Sequence, residues 1–429
     1  PHGRALTDSR YMGWDDIQMR TLEAPGAYNV VIEGRRYATG VASYGFVVQK
    51  VADQTFPLEI GVSQGTAPLW ITGPTGGPAM QFDGLRHVEV PHHADIDLTG
   101  SATIEMWLRV DNYAAEWTQV LHKGDAGTNN RTYSLWVNSA GYVHLSTNDG
   151  NVQGIVTPVG SISRGQWYHV AATLDRTAGE MKLYLNGELA GSGALRTTPA
   201  ISRAQSLLIG TPRETWGAAA LQGAIADLRL WNTVRTLDEI RGNRTAVLAG
   251  NEAGLRLYLK VNEGAGTLVR DTTAGAHDGT ARNPFAGVPG VVMGAIDSVG
   301  QVDRYTFTLT EAKRLYFDAL ANVALLWTLS DAGGTLVSNR GFRSSDSADF
   351  GSNPILDLAA GAYTLTIDGA GDLMGGYAFR LIDVANAQTI VLGTAVAGQL
   401  NPASETDLYR FNAQAGDRIF FDRPTLTGG

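Results

Sequence analysis

One serine lies in a pattern that is typical of a catalytic nucleophile. Gly61-Val-Ser-Gln-Gly65 satisfies the G-x-S-x-G signature of hydrolases, in which a sharp strand-to-helix turn exposes the serine hydroxyl. The residues that follow are Thr-Ala-Pro-Leu, and a proline so soon after the turn makes this a poor start for a helix. We therefore predict that Ser63 is a linker residue and not a nucleophile.

Other side chains that could do acid–base or metal chemistry form none of the usual motifs. The chain has no cysteine, which excludes disulfides, thiolate zinc sites and cysteine nucleophiles. His92 and His93 are adjacent but belong to no H-E-x-x-H motif, so a zincin site is excluded while another transition-metal role stays open. His169 lies beside Trp167 in a strand-like segment and is predicted to pack. No E-x-D-x-x-E or E-x-D-x-E pair for glycoside hydrolysis occurs, so we predict no catalytic residue.

Tryptophan gives the strongest indication of a binding surface. Trp117 and Trp216 lie in segments with a weak strand pattern, among polar neighbours, where an indole suits sugar stacking or a protein contact. We predict that these two residues bind ligand together with Arg213 and Asn130. The alternative is that both indoles cover a sheet edge. Four tryptophans in strand-like patterns are predicted to be packing residues, namely Trp107, Trp136, Trp167 and Trp231.

Charge and hydropathy exclude two kinds of partner. The net charge is -9, and a chain of this sign repels phosphodiester backbones unless it carries a basic patch, which the sequence lacks. No segment approaches the ~18 apolar residues that a membrane-spanning helix needs. We expect neither nucleic-acid binding nor a membrane-spanning segment.

Internal repeats define the elements that must position these residues. Residues 294–318 recur at 398–422, and residues 25–34 recur at 360–369. The sequence therefore predicts four parts: the C-terminal part of a repeat (1–66), an inserted domain (67–285), a complete repeat (286–394) and the N-terminal part of a further repeat (395–429). Because half a sandwich leaves unpaired strand edges, we expect the parent protein to be a longer tandem array.

The repeat shows the period-two alternation of a β-sandwich, most clearly at 303–309, 314–318 and 363–367. Three segments carry a family resemblance: VDRYTF at 302–307, AGAYTLTIDG at 360–369 and YAFRL at 377–381. On these the unit resembles the bacterial pre-peptidase C-terminal family. The resemblance implies a non-catalytic appendage of a secreted peptidase or of a large surface protein.

The inserted domain alternates in the same way, with Ile104 and Met106 among the apolar positions of one strand. Asn186-Gly187 stands between two apolar runs and predicts a two-residue hairpin. Thr236 followed three residues later by Glu239 predicts a capped helix over 237–241. The sequence thus predicts an antiparallel sandwich with one short helix.

Six motifs in order carry a second resemblance: FDGLRHVEVP at 82–91, ATIEMW at 102–107, LHKGD at 121–125, GQWYHV at 165–170, LYLNG at 183–187 and GAIADLRLWN at 223–232. On these motifs the insert resembles a laminin-G-like domain, which implies a concanavalin A-like jelly roll. The fold class is thus expected to be all-β, with this jelly roll flanked by smaller β-sandwich repeats. Such domains bind carbohydrates or proteins, or have no known ligand.

The resemblance also implies a calcium ion near the first and last strands. The matching positions are Asp83 and Asp227, although Ala226 stands where the family frequently has a further acidic residue. Calcium prefers oxygen ligands, which these carboxylates supply. The alternative is that Asp83 accepts hydrogen bonds from backbone amides in a turn.

Together these features predict a non-catalytic, ligand-binding or adhesive section of a large secreted or cell-surface bacterial protein. Its expected partners are a glycan or a surface protein, besides the neighbouring repeats of the same chain. Two alternatives remain: accessory modules of a secreted hydrolase whose catalytic domain lies elsewhere, and a structural stalk.

Overall fold

The computed structural model describes residues 51–127, 129–213, 217–346, 354–371 and 373–421. Within them the chain is nearly all strand. In order, the strands are β1 (Gln54–Pro57), β2 (Leu69–Thr72), β3 (Pro78–Asp83), β4 (His87–Val90), β5 (Ala102–Asn112), β6 (Trp117–Gly124), β7 (Arg131–Asn138), β8 (Tyr142–Asn148), β9 (Val152–Val156), β10 (Trp167–Asp175), β11 (Glu180–Leu185), β12 (Glu188–Ala194), β13 (Leu207–Ile209), β14 (Ala219–Ala220), β15 (Gln222–Trp231), β16 (Leu255–Leu259), β17 (Leu268–Val269), β18 (Gly279–Arg282), β19 (Val292–Ile296), β20 (Val302–Leu309), β21 (Lys313–Ala319), β22 (Leu325–Asp331), β23 (Gly334–Gly341), β24 (Ile355–Leu358), β25 (Gly361–Gly369), β26 (Gly375–Asp383), β27 (Gln388–Thr389) and β28 (Tyr409–Arg410).

The inserted domain is a sandwich of two sheets. One sheet has the order β12-β11-β10-β5-β15-β3-β2, with β16 paired to the end of β15, and the other has the order β17-β18-β4-β13-β6-β7-β8-β9, with β14 on β6. Alternate residues of β5, among them Ile104, Met106 and Leu108, enter one continuous core, as the sequence predicts. The all-β fold class with a concanavalin A-like sandwich is therefore confirmed.

The predicted hairpin joins β11 to β12 through Asn186 and Gly187. Both residues have positive φ, 53° and 83°, which is the conformation of a type I′ turn and the reason that Asn-Gly is favoured there. The strands then pair from Leu185 with Glu188 outward. The local sequence alone was sufficient to place this turn.

One α-helix, α1 (Leu237–Asn243), lies among the described residues, and it extends two residues beyond the prediction. The Thr236 side chain accepts from the Glu239 amide, and the Glu239 carboxylate accepts from the Thr236 amide at 2.8 Å, so the capping box is complete. Ile240 is buried against Ala171 and Tyr184 on the outer surface of the first sheet. The helix therefore covers part of that surface.

Replacing Thr236 by alanine should lower the free energy of unfolding by about 1 kcal/mol, because a backbone amide at the helix start loses its acceptor. Urea unfolding followed by circular dichroism measures the change. The matched control is Thr197→Ala, since Thr197 is exposed and lies outside any strand or helix. Equal stability of the two variants would contradict the capping role.

The complete repeat forms a second sandwich. Its sheets have the orders β1-β20-β25-β22-β23 and β19-β26-β21-β24. The predicted strands at 303–309, 314–318 and 363–367 lie within β20, β21 and β25. Their inward side chains share one core with Phe317, which stacks on Trp327 of β22 at 4.1 Å and on Phe379 of β26 at 5.2 Å between ring centroids. The resemblance to pre-peptidase C-terminal repeats stays a prediction.

The segment before the insert packs on this second sandwich. β1 pairs in parallel with β20, and Met293 donates its amide to the carbonyl of Gln64 at 3.0 Å. Residues 1–50, which carry the match to 360–369, lie outside the described residues. Near the other end, β28 pairs in parallel with β27 over two residues. The domain boundaries given above stay predictions.

In the described part of the chain, no helix has the length and apolar character that a membrane crossing requires.

Candidate functional site

A polar and aromatic layer lies on the side of the second sheet that faces away from the core of the inserted domain. Because side chains alternate along a strand, β6, β7 and β8 direct one set into the core and the other set away from it. The register aligns Gln119 with Trp136 and His144 in one row, and His122 with Ser134 and Ser146 in the next. We call this layer the β6–β8 face and define it by eight residues: Trp117, Gln119, His122, Ser134, Trp136, Tyr142, His144 and Ser146. Trp117, Tyr142 and His144 are partly exposed, whereas the other five are buried.

Three half-buried rings lie at one edge of the β6–β8 face. The Trp117 ring meets Tyr142 edge-on, with centroids 5.7 Å apart, and lies 5.5 Å from the His144 ring. Such tilted contacts suit aromatic quadrupoles and hold each ring in place. Since all three rings are only partly covered, they present a fixed aromatic surface to solvent.

Next to these rings, polar side chains are held by one another. The Gln119 amide nitrogen lies 2.9 Å from Nδ1 of His122, and its Oε1 accepts from the Arg213 backbone amide at 2.8 Å. Burial lowers the pKa of His122 to about 4, and burial together with the Arg131 charge lowers the pKa of His144 to about 4. Both imidazoles are therefore neutral at pH 7, and each combines one donor nitrogen with one acceptor nitrogen.

Of the four predicted ligand-binding residues, the structure brings two to this face. Trp117 is one of its rings, and Arg213 adjoins it through Gln119 while its Nη1 donates to Gln205 at 2.7 Å. Asn130 lies at the turn between β6 and β7, and its amide donates to the Ala126 carbonyl at 2.9 Å. It is thus at the opposite end of β6 from Trp117, on the order of 23 Å away at strand rise. Trp216 lies outside the described residues.

Sequence reasoning missed Tyr142 and His144. Both stand on β8 at positions that alternate with the buried Val143 and Leu145, and this alternation was the available signal. What the sequence did not show is that β8 adjoins β7 so that these rings reach Trp117. The four tryptophans predicted to pack do lie in strands, β5, β7, β10 and β15.

The two predicted calcium ligands are not brought together. Asp83 is buried, accepts from the amides of Leu85 and Arg86 at 3.0 and 2.9 Å, and forms an ion pair with the Arg86 guanidinium. This is the turn arrangement given above as the alternative. Asp227 lies in a bulge of β15 with φ 59° and pairs with Arg229 at 3.1 Å. Because Asp83 on β3 pairs with Gln222, it lies level with the start of β15, five residues before Asp227. Calcium binding stays a prediction.

The remaining candidate residues have structural surroundings. Ser63 lies in a loop rather than at a strand-to-helix turn, and its hydroxyl accepts from the Gly290 amide at 3.1 Å. His169 is buried against Trp107, with ring centroids 5.4 Å apart. Burial lowers the pKa of His169 to about 3. The non-catalytic role of both residues stays a prediction.

Residues 82–241 match a family model described as the concanavalin A-like lectin/glucanases superfamily. The match covers less than half of the chain and places a concanavalin A-like lectin domain within the inserted region. The matched residues include all eight residues of the β6–β8 face.

Among curated proteins, the chain is similar to the rat sushi, von Willebrand factor type A, EGF and pentraxin domain-containing protein 1. The identity is 30% over 92 residues, which is 20% of this chain and 3% of the rat protein. The chain thus spans only a few per cent of the curated relatives that it matches.

Two solved structures are also similar. A putative carbohydrate binding protein from Bacteroides ovatus ATCC 8483 has 20% identity and a TM-score of 0.39, over 51% of this chain and 58% of that one. The CBM40 of the Ruminococcus gnavus IT-sialidase has 16% identity and a TM-score of 0.32, over 39% of this chain and 97% of that one.

Proposed function

We propose that the inserted domain binds a glycan through the β6–β8 face. The observation that carries the proposal is the half-exposed cluster of Trp117, Tyr142 and His144. Sugars present apolar C–H faces that pack on aromatic rings, and a binding surface needs a few fixed polar groups beside them. The match to the concanavalin A-like lectin/glucanases superfamily supports a carbohydrate as the ligand.

The polar groups beside the rings suit a hydroxyl-rich ligand. His144 is half-buried and neutral at pH 7, so one ring can accept from one sugar hydroxyl and donate to another. Arg213 contributes a positive charge at the rim. The eight residues of the face include no Asp or Glu, so nothing on it repels an acidic sugar. The ligand class is therefore a neutral or acidic glycan.

The domain acts in this proposal as a non-catalytic binding module. Glycoside hydrolysis needs a pair of carboxylates flanking the bond, and the face as defined carries no carboxylate. The chain as a whole would then serve as an adhesive section of a secreted or cell-surface protein. In such a protein the sandwich repeats would act as spacers on either side of the glycan-binding domain.

The purified chain should bind members of a glycan panel, and Trp117→Ala should weaken the strongest interaction by about 30-fold. That factor corresponds to a loss of ~2 kcal/mol, the size found for a central aromatic contact. Tyr142→Ala should act in the same direction. Calorimetric titration with the best glycan measures both.

The matched control is Trp167→Ala. Trp167 is also half-buried and in a strand, but it lies in the other sheet and packs under the Arg109 guanidinium. Melting temperatures of all variants separate lost binding from lost folding. If Trp167→Ala weakens binding and Trp117→Ala does not, the ligand sits on the other sheet and the proposal is wrong.

A further inference from the structure

Two loops meet at a group of metal-ligating side chains away from the β6–β8 face. His93 and Asp95 lie at the start of a short 3-10 helix, Ala94–Ile96, and His277 lies in the loop before β18. One ligand atom of each residue lies within 4.8 Å of the other two. The sequence separates His93 from His277 by most of the inserted domain, so only the fold joins them.

The distances within this group exceed hydrogen bonds but fit shared coordination. One carboxylate oxygen of Asp95 lies 3.4 Å from Nδ1 of His93 and 3.5 Å from Nε2 of His277. Ligand atoms about 2.0–2.1 Å from a tetrahedral zinc ion are themselves separated by about 3.4 Å. The two imidazole rings are neighbours, with centroids 4.2 Å apart and planes tilted by 31°. The carboxylate thus stands at the edge of both rings.

His277 supplies an independent indication that this group can bind a ligand. Its side chain is only 9% exposed, and its Nε2 is buried without a hydrogen-bond partner. A buried polar nitrogen in that state costs free energy unless something binds it. The unpartnered nitrogen is the same atom that faces Asp95.

The backbone of the loop around His277 is held by hydrogen bonds. Asp271 accepts from the His277 amide and from the Thr273 amide, each at 2.9 Å. At Gly275, a Cβ atom would lie 2.6 Å from Nε2 of His277, so a larger residue there would displace the imidazole. The loop backbone is therefore fixed, and Gly275 leaves room for the imidazole in its present position.

We propose that His93, Asp95 and His277 bind a zinc ion that links the two loops. Two imidazole nitrogens and one carboxylate oxygen are a donor set that zinc prefers over calcium or magnesium, which take oxygen ligands. Three protein ligands leave the fourth position open to water. His93 Nδ1 accepts a 3.2 Å hydrogen bond from the Asp95 amide, a long contact that zinc binding would displace.

The test is titration of the untagged full chain with zinc chloride, followed by calorimetry and by melting temperature. We expect saturable binding that raises the melting temperature, because an ion that binds only the folded site stabilises it. Calcium and magnesium chloride at the same concentration should not reproduce the response. His277→Ala and His93→Ala should each weaken this binding by more than ~100-fold, since loss of even an outer-shell partner costs about 10–100-fold.

His92→Ala is the matched control. His92 adjoins His93, but its Nδ1 faces Lys123 at 3.1 Å and Asp97 at 3.5 Å. Asp95→Asn removes a ligand from a half-exposed position, so it remains informative if the buried His277 variant fails to fold. Zinc affinity lost in His93→Ala and Asp95→Asn but kept in His92→Ala supports the site. Equal zinc affinity in the wild type, His93→Ala and Asp95→Asn overturns it.

Discussion

Replacing Asp83 by asparagine should lower the free energy of unfolding of the inserted domain by about 3–5 kcal/mol. That is the usual cost of removing one partner from a buried ion pair, since the other charge stays buried without compensation. The side chains of Asp83 and Arg86 are 0% and 2% exposed. Asparagine keeps the shape and an acceptor oxygen for the two backbone amides, so the variant isolates the effect of the charge.

The contacts of Arg86 explain why the effect is large. Its guanidinium pairs with Asp83 on one side and donates to the Gly65 carbonyl on the other. The carbonyl belongs to the segment that leads into the domain, and Met293 of the second sandwich donates to its neighbour Gln64. Loss of the carboxylate therefore removes the charge that holds Arg86 against this segment.

Urea unfolding of the wild type, Asp83→Asn and the double variant Asp83→Asn/Arg86→Met measures the effect. The double variant should be more stable than Asp83→Asn, because it leaves no unpaired charge. Each protein is unfolded in calcium and again in chelator. The structure predicts the same loss in both conditions. If chelator lowers the wild type to the stability of Asp83→Asn, bound calcium and not Arg86 is the partner of this carboxylate.

Local sequence patterns predict most of the fold. The Asn186-Gly187 turn and the Thr236 cap depend on the conformation of a few adjacent residues, and both were predicted correctly from the sequence. Period-two alternation likewise identified strands such as β5 and β20, because each buries one side. These features need no knowledge of which strands are neighbours.

The candidate sites depended on long-range pairing and were predicted only in part. Trp117 could be singled out by its type and surroundings, but its neighbours Tyr142 and His144 reach it through the order β6-β7-β8. The sequence shows His93 beside His92, whereas His277 lies in a loop far along the chain and comes near His93 only in the fold. The parallel pairing of β1 with β20 also could not be predicted from the local sequence pattern, because no short connection joins these strands.

Replacing Glu105 by glutamine should stabilise the protein, and the gain should grow as pH rises. Glu105 is fully buried in β5, and burial raises the pKa of its carboxyl to about 7 although the Arg229 charge acts in the opposite direction. Its nearest polar neighbours are the Arg229 guanidinium at 3.9 Å and the neutral His169 imidazole at 3.7 Å, both beyond hydrogen-bond distance. The carboxylate is therefore poorly compensated once it ionises.

The direction in which stability changes with pH follows from proton linkage. The folded protein holds the Glu105 proton up to about pH 7, whereas the unfolded chain releases it near its ordinary value of 4.5. Between these values the folded state binds more protons, so stability falls as pH rises and then stays constant above about pH 7. At ~1.4 kcal/mol for each pH unit, the whole loss is about 3 kcal/mol. Glutamine cannot ionise and avoids this loss.

Unfolding free energies at pH 5, 6, 7 and 8 check the prediction. We expect the difference between Glu105→Gln and the wild type to be small at pH 5 and to reach about 3 kcal/mol at pH 8. The control is Glu188→Gln, because Glu188 pairs with Arg241 at the surface with 73% of its side chain exposed. Such a pair is worth at most about 1 kcal/mol and should give no comparable pH trend. A Glu105→Gln variant that is less stable than the wild type at every pH would show that Glu105 is ionised in the fold and stabilised by Arg229.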